Sequence, residues 1–343
     1  MTKTRPRLST KIAFWGTPDI SAELLTLLSN HKQLEIVVVV TQKDKPRSKR
    51  GQKVLPSAVK KIALANEIPV FEWSNLKKNT IEIVEILKKY KVELNVVLAY
   101  GKIIPNDVIT CVPLHSVNFH ASLLPKLRGA SPIESALLTG EKFTGWTLQK
   151  IVYELDAGDI IFQNQVEIKA NDNRFTLYDS LKEILFKDAC NWLHSYAVGR
   201  GFTGQVKTPT LGYGIPKPQD HDLATFCRKF NVEDYRIDWN KLAIEIYNQF
   251  RAFSPKPGCW TYFDGEKVKL LVSLDPVQDY VGDKSVGSII DVYQASKSEK
   301  NLLVVCGDNA IAISHIQLPG KKMTSVHDFL NGFREDIMKL SFY

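Results

Sequence analysis

KIAFWGTPDISAELLTLLS, residues 11–29, decides the fold. Ile12, Ala13, Phe14 and Trp15 form an unbroken apolar run, which Gly16, Thr17 and Pro18 then break. Pro18 suits the first turn of a following helix and Asp19 suits its positive end. The stretch therefore reads as buried strand, turn and helix. IVVVVT at residues 36–41 repeats the theme, β-branched and apolar at consecutive positions. Such a run belongs to a parallel strand covered on both faces rather than to an alternating edge strand. Working outward, residues 57–65 read as a helix, 69–71 as a short strand and 81–90 as a helix. Residues 94–99 and 117–119 read as further buried strands. Strands alternating with helices at this spacing predict a doubly wound, Rossmann-like α/β sheet through about residue 200. Ligands of such sheets bind beyond the carboxyl ends of the strands. That directs attention to residues 16–19, 42–53, 100–105 and 120–129.

A chain of 343 residues exceeds the usual size of one domain. Residues 203–220, TGQVKTPTLGYGIPKPQD, lose all hydrophobic period and read as an extended linker. The expected division is a catalytic domain over 1–202, a linker over 203–220 and a second domain over 221–343. In the second domain one helix is expected at 241–252. Short strands are expected at 260–263, 267–272, 287–292, 302–306 and 310–317. Asp264-Gly265 between the first two is a hairpin signal. Five short strands and a helix predict a smaller, OB-like β-barrel.

Apolar residues make up 44% and charged residues 24%, a balance that lets a water-soluble chain bury real cores. The longest apolar runs are strand-sized, well short of the ~20 residues a membrane span needs. The opening MTKTRPRLST is basic but lacks an apolar segment, so no secretory signal is expected. Cys111, Cys190, Cys227, Cys259 and Cys306 are scattered without a CxxC pair. This argues against a zinc cluster or a disulfide framework and fits a reducing, cytoplasmic setting. A monomer is expected, and no metal.

The net charge of +8 is unevenly placed. Residues 221–343 hold 15 basic against 16 acidic groups, so the excess lies before them. KDKPRSKRGQK, residues 43–53, carries six basic groups and one acid. Such a run is either a solvated loop or a phosphate-backbone contact, since clustered Lys and Arg release counterions on meeting nucleic acid.

Asn118 and His120 stand two apart on an extended segment, so both side chains project to one face. One is an amide donor, the other an imidazole that holds or releases a proton near neutral pH. Asp156, in Leu155-Asp156-Ala157-Gly158-Asp159, offers a carboxylate to orient that imidazole, with Asp159 as the alternative. Amide, imidazole and carboxylate together suit acyl transfer: an oxyanion donor, a proton carrier and a group that fixes it. By spacing alone, an Asn-x-His pair is more often structural. Trp146 reads as core, His115 as a surface residue and His194 as helix packing. Gly199-x-Gly201-x-x-Gly204 follows a helix and opens none, so it is not read as a dinucleotide fingerprint.

The chain resembles the formyltetrahydrofolate-dependent formyltransferases. The resemblance is carried by Gly16-Thr17-Pro18-Asp19, by Thr41-Gln42-Lys43-Asp44-Lys45-Pro46 and by Ala99-Tyr100-Gly101. It continues through Asn118-Phe119-His120-Ala121-Ser122-Leu123-Leu124-Pro125, Arg128-Gly129-Ala130, Leu155 to Asp159 and Arg236-Ile237-Asp238-Trp239. Arg251-Ala252-Phe253-Ser254-Pro255 and Gly320-Lys321-Lys322-Met323 complete it, in family order. The resemblance implies catalytic roles for Asn118, His120 and Asp156. It implies a pocket for 10-formyltetrahydrofolate lined by Tyr100, Gly101, Ser122, Leu123, Leu124 and Pro125. It further implies a methionyl initiator tRNA acceptor, met by Arg47, Lys49, Arg50 and Lys53 of the basic run; Arg128 is read either as a further tRNA contact or as a helix cap. Two features depart from the family pattern: a second domain that is not basic, and Glu154 where a small residue is expected. Rival readings are a sugar-nucleotide N-formyltransferase, a hydrolase releasing formate from the same folate, and a nucleic-acid-binding protein without catalysis. The last would leave His120 and Asp156 unexplained.

Overall fold

The computed structural model describes residues 9–46, 54–199, 216–296, 299–333 and 336–343. The expected basic contacts Arg47, Lys49, Arg50 and Lys53 lie outside the described residues, as does the linker over 203–215. In chain order the first elements are β1 (Thr10–Gly16), α1 (Asp19–Ser29), β2 (Leu34–Val40), β3 (Lys45–Pro46) and β4 (Val54–Leu55). Next come α2 (Ala58–Ala65), β5 (Val70–Phe71), α3 (Thr80–Lys89), β6 (Leu94–Leu98), α4 (Asn106–Thr110) and β7 (Ser116–His120). They are followed by β8 (Arg128–Gly129), α5 (Pro132–Leu138), β9 (Phe143–Lys150), β10 (Ile160–Glu167), α6 (Arg174–Val198) and β11 (Phe226–Cys227). The chain closes with α7 (Ala243–Phe253), β12 (Cys259–Phe263), β13 (Glu266–Gln278), β14 (Ile289–Ser296), β15 (Glu299–Val305), β16 (Ala310–Gln317), β17 (Thr324–Ser325) and α8 (Val326–Gly332).

Packing divides the chain into two compact units. The first comprises Met1–Gly129, Gly145–Val166 and Ser180–Phe226; the second comprises Ala130–Thr144, Glu167–Asp179 and Cys227–Tyr343. The first unit is built on a seven-stranded sheet in the order β10-β9-β7-β6-β1-β2-β5. From β7 through β5 the neighbours run parallel, while β9 is antiparallel to β7. Chain order reverses at β1, with β2 on one side and β6 on the other, so the crevice for ligands lies over the carboxyl ends of β1 and β6. The apolar runs that predicted buried strands are buried: Ile12 to Trp15, Val38 to Val40 and Val96 show no exposure. One buried polar network ties three of these strands. Trp15 Nε1 donates to Asn95 Oδ1 at 3.1 Å, and Asn95 Nδ2 donates to Val108 O at 3.2 Å and Ser116 Oγ at 2.9 Å. A fully partnered network of this kind specifies one register, because an unpaired buried amide is costly. Ser57 caps α2 by accepting from Lys60 N.

Strands β9 and β10 were not anticipated. β9 is buried nearly throughout, yet Thr144, Thr147 and Gln149 supply polar side chains that dilute its apolar signal.

In the second unit α5 packs on α7, and a sheet runs β12-β13-β16-β15-β14 with β17 on β16, antiparallel at every pairing. Asp264 (φ 47°) and Gly265 (φ 74°) form the two-residue turn between β12 and β13, as their chemistry predicts. β13 runs past the expected end at 272 to Gln278, with register shifts between Leu271 and Val272 and between Val272 and Val277. Pro276, which cannot donate to a ladder, falls inside the second irregularity. Among the described residues no helix is long and apolar enough to cross a membrane.

Candidate active site

β7 carries Asn118 and His120 on one face, and β9 lies antiparallel beside it with Gln149 opposite Asn118 and Thr147 opposite His120. Directly opposed residues of an antiparallel pair point to the same side. Four polar side chains thus converge at the carboxyl end of β7. Thr147 Oγ1 donates to Ser122 O at 2.7 Å and accepts from Leu124 N at 3.2 Å, which pins the loop that follows His120. Gln163 adds a bond to Leu124 O at 2.8 Å.

His120 is buried, and its Nε2 lies 2.8 Å from Leu127 O. A carbonyl only accepts, so Nε2 carries the hydrogen and Nδ1 is the atom at which a proton comes or goes. Nδ1 faces Asp156 Oδ2 at 3.6 Å, a charge contact longer than a hydrogen bond. The Asp156 carboxylate is fixed independently of the imidazole. Oδ2 accepts from Gly129 N and Oδ1 from Gln149 Nε2, both at 2.9 Å. Gly129 presents that N–H from φ 118°, a conformation open to glycine almost alone. Asp159 instead pairs with Lys150 Nζ at 3.7 Å, so of the two carboxylates Asp156 is the one beside the imidazole. Asn118 is half-buried and its side-chain amide makes no hydrogen bond among the described residues, which leaves an N–H donor for an incoming oxygen.

The turn bearing Asp156 is held from beneath. Lys150 N donates to Asp159 O at 2.9 Å, and a Cβ on Gly158 would come within 1.9 Å of Lys150 O. Asp156 itself takes φ 49°, a left-handed value uncommon for a residue with a side chain. Its main-chain oxygen and that of Gly158 accept from Gln219 Nε2 at 2.8 and 2.7 Å.

Of the positions expected to line a donor pocket, Gly101 is exposed and Leu123 and Pro125 are half-buried, whereas Tyr100, Ser122 and Leu124 are buried. Burial pushes the Tyr100 phenol up to about 12, and its ring meets Trp15 edge-on. Tyr100 O accepts from Gln42 Nε2 at 2.6 Å, and Ser122 Oγ donates to Lys126 O at 2.7 Å. These three shape the loops from inside.

The root of the basic run is anchored by Lys60. Its Nζ donates to Asp44 Oδ2 at 2.7 Å and to Glu72 Oε2 at 2.8 Å, and these bonds raise the ammonium above its ordinary value. The single acid of the run thus shares one ammonium with Glu72.

Arg128, read on the sequence as a substrate contact or a helix cap, is buried. Its Nε and Nη2 donate to Gln219 Oε1 at 3.1 and 2.8 Å, so the guanidinium is turned into the protein. Trp146 is core, buried and donating Nε1 to Leu181 O at 2.7 Å. His115 is exposed, and His194 lies on α6 with its ring near His31. Gln149, Gln219 and Leu127 escaped sequence reading. The first gives only the weak signal of an amide inside a strand, and Leu127 acts through a backbone oxygen that its side chain does not advertise. No group of His, Cys, Asp or Glu with metal-binding geometry occurs among the described residues.

A family model for formyl transferases matches residues 10–187, and a model for the formyl transferase C-terminal domain matches residues 229–334. A methionyl-tRNA formyltransferase of Sulfurihydrogenibium sp. is 36% identical over 330 residues, covering 94% of this chain and 97% of that relative. Another from Pseudomonas putida is 38% identical over 325 residues, covering 95% and 96%. Among solved structures, the sugar 3N-formyl transferase WlaRD, determined with dTDP and 5-N-formyl-THF, superposes with a TM-score of 0.56 at 20% identity. That match covers 91% of this chain and all but 1% of the other, whose coverage is 99%. HypX from Aquifex aeolicus in complex with tetrahydrofolic acid superposes with a TM-score of 0.52 at 17% identity, over 95% of this chain and 48% of that one. At these identities the structural likeness concerns the fold.

Proposed function

The chain belongs to the formyltransferase family, and from that premise we propose that it transfers the formyl group of 10-formyltetrahydrofolate to the α-amine of methionyl initiator tRNA. The reading rests on relatives named methionyl-tRNA formyltransferase that match the chain nearly end to end, through both domains. The likeness to a sugar formyltransferase, at 20% identity, extends to architecture only.

The bound folate supplies a formyl carbon already activated on nitrogen. The amine would add to that carbon, the carbonyl oxygen would take up negative charge, and the bond to the folate nitrogen would break as the proton lost by the amine is delivered to that nitrogen. The unengaged Asn118 amide is suited to donate to the charged oxygen. His120 presents Nδ1 as the site for the moving proton, with Nε2 held on Leu127 O. Asp156, fixed by Gly129 N and Gln149, faces Nδ1 at 3.6 Å, where its charge favours the protonated imidazole. Residues present fit the donor: the loop from Ser122 to Pro125 is pinned by Thr147 and Gln163 beside His120, and Gly101, Leu123 and Pro125 retain accessible surface.

In this reading residues 1–202 carry the chemistry and 221–343 form the OB-like second domain. Arg47, Lys49, Arg50 and Lys53 meet the acceptor arm of the tRNA. The protein acts as a monomer in a reducing compartment such as the cytoplasm, a setting that fits five scattered cysteines with no CxxC pair. The test is a formylation assay with 10-formyltetrahydrofolate and two acceptors side by side. Methionyl initiator tRNA is expected to be formylated; labelling of an amino-sugar nucleotide and not of the tRNA would overturn the proposal.

A further inference from the structure

We infer that Gln219 is a positioning residue for the reaction, a clamp that sets the distance between the two groups holding His120. The inference rests on the formyl-transfer reading above and adds a residue outside the catalytic set.

Gln219 lies 63 residues beyond Asp156 in a stretch read from sequence as linker, yet it is buried. Its place is fixed by Lys217, which exchanges two backbone bonds with Ile160: Ile160 N to Lys217 O at 2.8 Å and Lys217 N to Ile160 O at 2.9 Å. The amide cannot be turned over. Oε1 accepts two N–H groups of Arg128, which can only donate, and Nε2 donates to two carbonyl oxygens, which can only accept. Both ends of the side chain are thus determined.

Each end reaches one arm of the site. Nε2 holds the main chain on both sides of the Asp156 turn, where the left-handed φ is costly and persists only if surrounding groups over-determine it. Oε1 holds Arg128, whose neighbour Leu127 supplies the carbonyl on His120 Nε2 and also sits at a left-handed φ of 57°. The same stretch continues to Thr225, whose Oγ1 accepts from Leu127 N at 2.9 Å and whose carbonyl accepts from Arg128 N at 2.8 Å. Removing the amide frees the Asp156 turn to relax, and its carboxylate then leaves Nδ1. Small misplacements of this kind slow chemistry while leaving substrate contacts intact.

The experiment compares Gln219→Glu and Gln219→Leu with the unaltered protein. The glutamate keeps an acceptor for Arg128, and so preserves folding, but sets a carboxylate oxygen against the carbonyls of Asp156 and Gly158. Both variants should lower kcat on the order of 10- to 100-fold, with KM for donor and tRNA within about twofold. The ring-nitrogen NMR signals of His120 should also move in both, a readout independent of which amine is the acceptor. Wild-type kcat, or a raised KM at unchanged kcat, in a variant of unaltered melting temperature would overturn the inference, as would unmoved His120 signals. Failure of the unaltered protein to formylate methionyl-tRNA would overturn the reading of function instead, and the His120 signals would still decide the role of Gln219.

Discussion

Leu127 and Asp156 hold the same imidazole from opposite nitrogens, the Leu127 carbonyl 2.8 Å from His120 Nε2 and the Asp156 carboxylate 3.6 Å from Nδ1. Both residues stand in the left-handed region, at φ 57° and 49°. Such residues cost about 1–3 kcal/mol each and survive where the surroundings enforce them. Enforcement is visible: Thr225 takes the Leu127 amide, while Gly129 and Gln149 take the Asp156 carboxylate. The arrangement commits one ring nitrogen to structure and leaves the other for proton traffic.

That division makes His120→Ala the most direct test of the chemistry. Loss of a positioned proton carrier typically costs ~10²–10⁴ in rate, so kcat should fall within that range. Binding of methionyl-tRNA, measured by filter retention or fluorescence, should stay unchanged, because the buried ring offers little surface to a large ligand. A parallel loss of binding would make His120 a folding or binding residue.

Gly158 supports the Asp156 turn through the space its missing side chain leaves as well as through its carbonyl, which accepts from Gln219 Nε2. A Cβ there would stand 1.9 Å from Lys150 O, a backbone atom with no freedom to withdraw. Gly158→Ala should therefore destabilise the protein by about 3 kcal/mol and remove most activity. Gly332, where nothing lies within 4 Å of an added Cβ, is the control: its alanine variant should melt near the native temperature. Equal melting of the two variants would contradict the packing described for the turn.

Much of this architecture was legible in the residues. Ile12 to Trp15 and the run at 36–41 declared buried parallel strands because apolarity on consecutive positions has few other uses in a short segment. Asp264-Gly265 named its own turn. Asn118 and His120 could be put on one face by the two-residue period alone. What escaped has a common cause. β9 was missed because Thr147 and Gln149 interrupt the apolar signal, and they do so to serve the loop after His120 and the Asp156 carboxylate. Leu127 acts through a carbonyl, and Gln219 acts across 63 residues, so neither leaves a local pattern. Nothing in the local pattern around Arg128 announces that its guanidinium donates to Gln219 Oε1.

In the second unit the Asp234 carboxyl is held below its ordinary value, first by its hydrogen bonds to Arg228 and further by the backbone N–H of Asn231. A depressed carboxyl contributes stability above its ordinary range, and that stability is lost as pH falls through the lowered value. Asp234→Asn should thus melt below the native protein at pH 7, and the gap should close on acidification through the carboxylate range. The Arg228 side chain is largely exposed, so the gap at neutral pH should be small and shrink with added salt. A deficit independent of pH would assign the loss to the turn that Asp234 caps and not to its charge.

The tRNA contact proposed for the basic run at 43–53 can be tested apart from catalysis. The run carries six basic groups against one acid, Asp44, and that acid is engaged by Lys60. Each phosphate neutralised by Lys or Arg contributes about −0.7 to −0.9 to the slope of log K against log salt. Replacing Arg47, Lys49, Arg50 and Lys53 together by Gln should weaken tRNA binding most at low salt and flatten that slope by about three to three and a half units. Single-turnover rates at saturating tRNA should change little, because none of the four belongs to the His120 and Asp156 arrangement. An unaltered salt slope would return the run to a solvated surface loop, and a collapse of the saturated rate with binding intact would move it into the chemistry instead.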